Sequence, residues 1–346
     1  MDMYGVVHHG IASALPILAV CSVVAARIES PPLTGSLAPP ISVPGDGRVG
    51  VEAHPEPLSL LPDTSPDYAA NKRLAFDMWR GIVNAGHVEL ADELLQEGYI
   101  QHSPVLPTGR AAFKQIFSTV PRQEQVPALV TPPLVTIFAE GKLVVMAMRE
   151  ELPLPDGEGT YTSTHFNLFR IEGHRLAEHW HSVQGEPGAD LPLAGEGGPL
   201  PVIGATGEAL LVLADAADPA LRRNKVLVLD LWQAVRTGSR ASAMSFLTGG
   251  YVEHNANGGA GTPDFRGFSD PRSGLAGAVV LDAPAVALVA QGDLVVLVTA
   301  LEHADPRRAG ATYTSTWFDM FRIAEGKIAE HWDAAIVPGT VVPFGR

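Results

Sequence analysis

Residues 161–181 read YTSTHFNLFRIEGHRLAEHWH, and residues 313–333 read YTSTWFDMFRIAEGKIAEHWD, aligned without a gap. The shift is 313 − 161 = 152 positions. Phe166/Phe318, Phe169/Phe321, Arg170/Arg322 and the Ala-Glu-His-Trp run ending at Trp180 and Trp332 are identical in the two copies. The repeat extends upstream: Asn71-Lys72 matches Asn224-Lys225, and Tyr99-Ile100-Gln101-His102 matches Tyr251-Val252-Glu253-His254. Such a period is far too long for a solenoid, so each copy should be a whole domain. A chain of 346 residues carries the same prior of about two domains.

Composition narrows the class of partner. A net charge of −14 with no basic stripe argues against nucleic acid. The single cysteine, Cys21, excludes an intrachain disulfide framework and a cysteine-based zinc site.

In chain order, residues 1–30 hold an apolar run from Ile11 to Ala26 that Pro16 interrupts. It is short for a membrane span and similar to the apolar region of a signal peptide, with Ala25-Ala26 as a cleavage point. Export, to periplasm or medium, is one expectation; an uncleaved tail on a cytoplasmic protein is the other. Residues 31–66 are rich in Pro and Gly and read as a linker with little contact to the domains. Apolar residues at helical spacing then predict helices over 68–84, 88–95 and 109–120. Alternation and Gly-containing turns predict strands over 133–139, 142–151, 160–171 and 174–184. After a second linker over 188–219, the order repeats, with a helix at 221–236 and strands near 285–290, 293–303, 311–323 and 326–336. The glycine-rich segment 255–275 matches its counterpart poorly, and its helix is expected to be degraded.

Helices first and an antiparallel meander afterwards is the α+β pattern. On the strand at 160–171, Phe166 and Leu168 share one face while Phe169 and Ile171 share the other. Both faces are apolar, so both must be covered. Helices cover one, and the sheet of the other copy is the natural cover for the second. The expectation is a monomer built as a fused pseudo-dimer.

The helices, the curved sheet, Tyr-Ile-Gln-His-Ser-Pro after the second helix, and the closing Phe-Arg-Ile…Glu-His-Trp together resemble the SnoaL-like polyketide-cyclase branch of the nuclear-transport-factor-2-like superfamily. The resemblance covers 67–187 and 220–340. It implies two tandem cone-shaped domains, each with three helices on a curved antiparallel sheet. It also implies a cavity for a small hydrophobic molecule, no cofactor and no metal. Family chemistry includes aldol condensation, isomerisation and epoxide hydrolysis, so the fold limits the reaction without choosing it.

Proton transfer on a carbonyl compound needs a base and a donor for the developing enolate. His102 and His254 occupy equivalent places, where the family has a cavity histidine; a histidine that merely fixes the turn is the alternative. On the last strand, Glu178/Trp180 and Glu330/Trp332 point to one face, His179/His181 and His331/Asp333 to the other, and either face could be the inner one. The resemblance places an acid/base aspartate late in this strand, where the chain instead has Gln184 and Ile336. Glu178 and Glu330 are candidate acids if their face is inward, and otherwise partners of Arg170 and Arg322. Asn167 in the first copy stands where the second has Asp319, and His181 where it has Asp333. His165, Tyr99 and Tyr251 complete the candidate ligand-binding set with the two tryptophans, Asn167 and Gln184. The His179/His181 spacing suits a metal, but no nearby carboxylate completes a set. The expectation is acid/base work in the second copy through Asp319, Asp333, His331 and His254, and binding in the first; a ligand-binding protein without turnover is the alternative.

Overall fold

The computed structural model describes residues 49–104, 106–182, 200–236, 240–258, 284–305 and 309–340. The leader, residues 31–48, Gln184, residues 188–199 of the second linker and most of the glycine-rich segment lie outside them.

The first half opens with α1 (Pro66–Met78), whose start is set by Ser65: its hydroxyl accepts from the Tyr68 amide, and Pro66 occupies the first turn. The helix continues as a wider turn over Trp79–Asn84, and α2 (Ala91–Leu94) follows. Then come β1 (Leu95–Gln101), α3 (Arg110–Phe117), β2 (Leu134–Glu140), β3 (Leu143–Pro153), β4 (Thr160–Glu172) and β5 (Arg175–His181). The second half carries α4 (Ala209–Leu213), α5 (Pro219–Arg236), α6 (Arg240–Ser245) and β6 (Leu247–Glu253). It closes with β7 (Ala285–Gln291), β8 (Leu294–Ala304), β9 (Thr312–Ala324) and β10 (Lys327–Asp333).

The strands form two five-stranded sheets of the same order, β1-β5-β4-β3-β2 and β6-β10-β9-β8-β7. One expectation needs correction: the sheets are mixed. β1 runs parallel to β5, and β6 parallel to β10. The Tyr-x-x-His piece is the end of this added strand. It lies beside the final strand because the helical segment between it and β2 carries the chain across the sheet.

Each sheet buries both faces. Phe169, Ile171, Met146 and Met148 pack under Phe76, Trp79, Ile82 and Phe113 of the first-half helices. Phe166, Leu168 and Trp180 instead share one apolar layer with Phe318, Met320 and Trp332 of the second half. The Phe166 and Phe318 rings stack with centroids 5.5 Å apart. The sheet edges are tied as well: the Ala139 amide donates to Gln291 Oε1 (2.9 Å), and Lys225 Nζ meets Glu140 Oε1 at 2.6 Å.

The stretch read as a linker up to residue 66 is docked from Gly50 onward. Val51 is buried in the layer that the two halves share, and Leu60 and Leu61 in the core under the first-half helices. Lys72, fully buried, donates to the carbonyls of Leu60 and Pro62 and pairs with Asp63 at 2.9 Å. Residues 200–205 of the second linker behave likewise: Val202 is buried, and Ala205 bridges to Ala285. The two arms reach across to the opposite half. Gly50 O accepts from His254 Nδ1 (3.0 Å), and Leu200 O from His102 Nδ1 (3.0 Å).

Candidate acid/base site

The parallel strand pairing aligns Gln101 with His179 and Glu253 with His331. In the second half this assembles Tyr251, Glu253, Asp319, His331 and Asp333 on the face turned away from the other half. His331 Nδ1 faces Glu253 Oε1 at 2.8 Å and its Nε2 faces Asp319 Oδ1 at 3.1 Å. A carboxylate oxygen only accepts, so both ring nitrogens carry protons. Tyr251 donates to Glu253 Oε2 (2.7 Å), and Trp317 Nε1 donates to Asp319 Oδ1 (3.2 Å). Asp333 accepts from Asn255 Nδ2 and from the Ala335 amide. All three carboxylates and the imidazole are at most 3% exposed.

Burial alone would push the His331 imidazole down. The Glu253 charge and the hydrogen bonds to Asp319 and Glu253 outweigh it and hold the group well above its ordinary value. Asp333 is pushed up to about 7, chiefly by burial; the His331 charge pulls it down while Glu253 and Asp319 push it further up. The site therefore combines a fixed imidazolium with a carboxyl group that titrates near neutrality.

The first half has the same geometry without the charges. His179 Nε2 donates to Asn167 Oδ1 (2.9 Å), and its Nδ1 accepts from Gln101 Nε2 (3.0 Å), which is the neutral tautomer. Burial holds His179 well below its ordinary value, with repulsion from His181, His165 and His102 adding to it. Burial lowers His181 to about 3 and His165 to about 4. Tyr99, lacking a carboxylate at position 101, keeps a buried hydroxyl with no hydrogen-bond partner among the described residues. The Nε2 atom of His181 is in the same condition.

The remaining candidates fall on the opposite face. His102 stacks on Trp180 (4.8 Å) and meets Glu178 at 2.7 Å; His254 stacks on Trp332 (4.6 Å) and meets Glu330 at 3.0 Å. Glu178 and Glu330 also hold Arg170 and Arg322. Burial opposes their ionisation, but the histidine and arginine partners prevail and lower both carboxyls. The partner of Asp319 is thus His331 rather than His254, because residues 253 and 254 point to opposite faces at the end of a strand. Glu253, Asn255 and Trp317 were missed by sequence reasoning. The signal in the sequence is Gln101 against Glu253, each one residue before the repeated histidine.

Asp319, His331 and Asp333 form the one group among the described residues that could hold a metal ion, their ligand atoms lying within 4.8 Å of one another. The hydrogen bonding does not fit one. Both ring nitrogens of His331 donate to carboxylates, so neither has a lone pair free for an ion.

No family model matches the chain, and no curated protein does. Solved structures do. TsrD from Streptomyces laurentii is 20% identical over 33% of this chain and 87% of its own, with a TM-score of 0.23. A SnoaL-like polyketide cyclase from Jannaschia sp. CCS1 is 18% identical over 35% and 90%, with a TM-score of 0.26. An NTF2-like protein from Anabaena variabilis is 16% identical over 36% and 96%, with a TM-score of 0.26. The chain is similar to SnoaL-like and NTF2-like proteins over about a third of its length.

Proposed function

We propose that the chain is a cofactor-independent acid/base enzyme of the SnoaL-like type, built as two tandem domains (67–187 and 220–340) joined as a monomeric pseudo-dimer. The reaction is an aldol condensation, cyclisation or isomerisation of a small hydrophobic carbonyl compound. The observation that carries this reading is the placing of Asp333 beside the Glu253–His331–Asp319 chain. A buried carboxyl group titrating near 7 can take a proton from an acidic carbon and return it at neutral pH. His331, held cationic, favours negative charge developing on the carbonyl oxygen. Asp319 and Glu253 hold the imidazole in place and keep it protonated. The first half, with neutral histidines and amides, binds without proton transfer.

A screen of small hydrophobic carbonyl compounds tests the assignment. Asp333→Asn should lower turnover on the order of 10²–10⁴-fold, and Asp319→Asn should act in the same direction, while Asn167→Ala leaves the chemical step intact. Turnover that survives Asp333→Asn but is lost in His102→Ala would move the chemistry to the first half. If binding occurs without any turnover, the alternative reading of a ligand-binding protein stands.

A further inference from the structure

The duplicated Tyr-Thr-Ser-Thr motif lies at the start of β4 and β9, and the acid/base reading leaves it without a role. Its hydroxyls cross between the halves. Ser163 Oγ of the first half donates to the carbonyl of Ala335 (2.7 Å), two residues beyond Asp333. Tyr161 Oη accepts from the Val337 amide (3.0 Å) and donates to Thr340 Oγ1 (2.9 Å) on the same segment. In return, Thr316 Oγ1 of the second half donates to the carbonyl of His181 itself (2.7 Å), and Thr316 forms a parallel bridge with Ser182. The middle of the motif repeats the exchange through the arms. Thr162 Oγ1 accepts from the Val51 amide (2.7 Å), next to the Gly50 carbonyl that receives His254. Thr314 Oγ1 accepts from the Val202 amide (2.8 Å), two residues from the Leu200 carbonyl that receives His102.

The bonds of Ser163, Tyr161 and Thr316 hold backbone at or beyond the ends of β5 and β10. Past His181 the ladder with β4 continues for one residue, through the Ser182 amide and the Phe166 carbonyl, and past Asp333 the pairing of β10 with β9 stops. Ser163, Thr316, Ala335 and Ser182 are buried, so these bonds are shielded from water and fix the backbone they hold. We infer that the Tyr-Thr-Ser-Thr motif is a positioning device acting across the halves: Ser163 and Tyr161 set the backbone that carries Asp333, and Thr316 sets the backbone that carries His181. The motif therefore makes the charged site of the second half depend on a serine and a tyrosine of the first. This rests on the reading of Asp333 as the proton-transfer group, but not on any turnover being observed.

The test uses the full chain, with carboxyl and imidazole resonances of both clusters followed by NMR as pH is varied. Ser163→Ala should move the Asp333 midpoint by about half a pH unit, the scale of one lost hydrogen bond. The His179 and His181 resonances in the same sample should stay in place. Thr316→Val should do the reverse, shifting His181 and leaving Asp333 and His331, and Thr316→Ser, which keeps the hydroxyl, should restore the parent spectrum. The two substitutions are independent, and melting curves are to be recorded for each to check that it is folded. Effects confined to the half that carries the substitution, effects spread equally over both, or no shift in either would overturn the proposal. Correct shifts in a protein for which Asp333→Asn leaves turnover unchanged would overturn the acid/base reading alone.

Discussion

The two clusters lie on equivalent strands of the two sheets, in the same register, with an imidazole at the centre of each. In the first, the imidazole lies between two amides, Gln101 and Asn167; in the second, between two carboxylates, Glu253 and Asp319. The contacts to the ring are 3.0 and 2.9 Å long in the first half and 2.8 and 3.1 Å in the second, yet the exchange of carboxylates for amides reverses the protonation state of the ring. His179 is held neutral by burial, whereas His331 is held cationic against it. The comparison teaches that geometry alone does not define an acid/base site in this fold. Burial shifts every titratable group, and the charges placed around it decide the sign.

The arms offer the largest way to break the comparison. If Gly50–Asp63 were a loose linker, its removal would cost nothing. Val51, Leu60 and Leu61 are buried, worth roughly 1.5–3 kcal/mol each on transfer alone. Lys72 would be left buried without the two carbonyls and the carboxylate that hold it. A chain beginning at residue 66 should lose several kcal/mol of stability in denaturant unfolding, enough to bring it close to unfolding. It should also disturb the second half, through the lost Gly50–His254 bond.

A smaller effect sharpens the contrast at one atom. Tyr251 donates to Glu253, while Tyr99 has no partner for its hydroxyl among the described residues. Tyr251→Phe should therefore destabilise by about 1 kcal/mol, the worth of a hydrogen bond to a charged acceptor set against lost desolvation. Tyr99→Phe should be neutral or mildly stabilising, because it removes a buried group that is already unpaired. Chemical denaturation of the two variants side by side gives the comparison.

Much of this was legible in the sequence. The duplication, the helix–strand order and nearly every strand position follow from the repeat and from alternation. The apolar character of both faces of β4 predicted a cover on each side, and the shared layer of Phe166, Trp180, Phe318 and Trp332 supplies it. The parallel pairing of β1 with β5 was not legible, because pairing is a long-range choice that periodicity does not record. That pairing is also what brings Glu253 to His331, so the central partner of the site went unseen. The arms were misread for a related reason: a short Pro-rich segment has too few apolar residues to show a period. Val51 and Val202 nevertheless stand 202 − 51 = 151 positions apart, within the drift of the repeat.

The most direct measurement is the pH titration of His179 and His331 in one sample of the full chain, followed by imidazole NMR, with Asn167→Asp beside it. The account predicts opposite behaviour. His331 stays protonated well above its ordinary value, and the stability it contributes is present below the unfolded value of about 6.5 and lost as pH rises through the folded one. His179 stays neutral well below the ordinary value, so its burial costs stability as pH falls beneath about 6.5, where the unfolded chain takes up the proton. In Asn167→Asp, a carboxylate replaces the amide 2.9 Å from His179 Nε2, and the midpoint of His179 should rise toward that of His331. Two histidines titrating together near 6.5, with Asn167→Asp leaving His179 unmoved, would contradict the claim that the halves share a geometry and differ in charge.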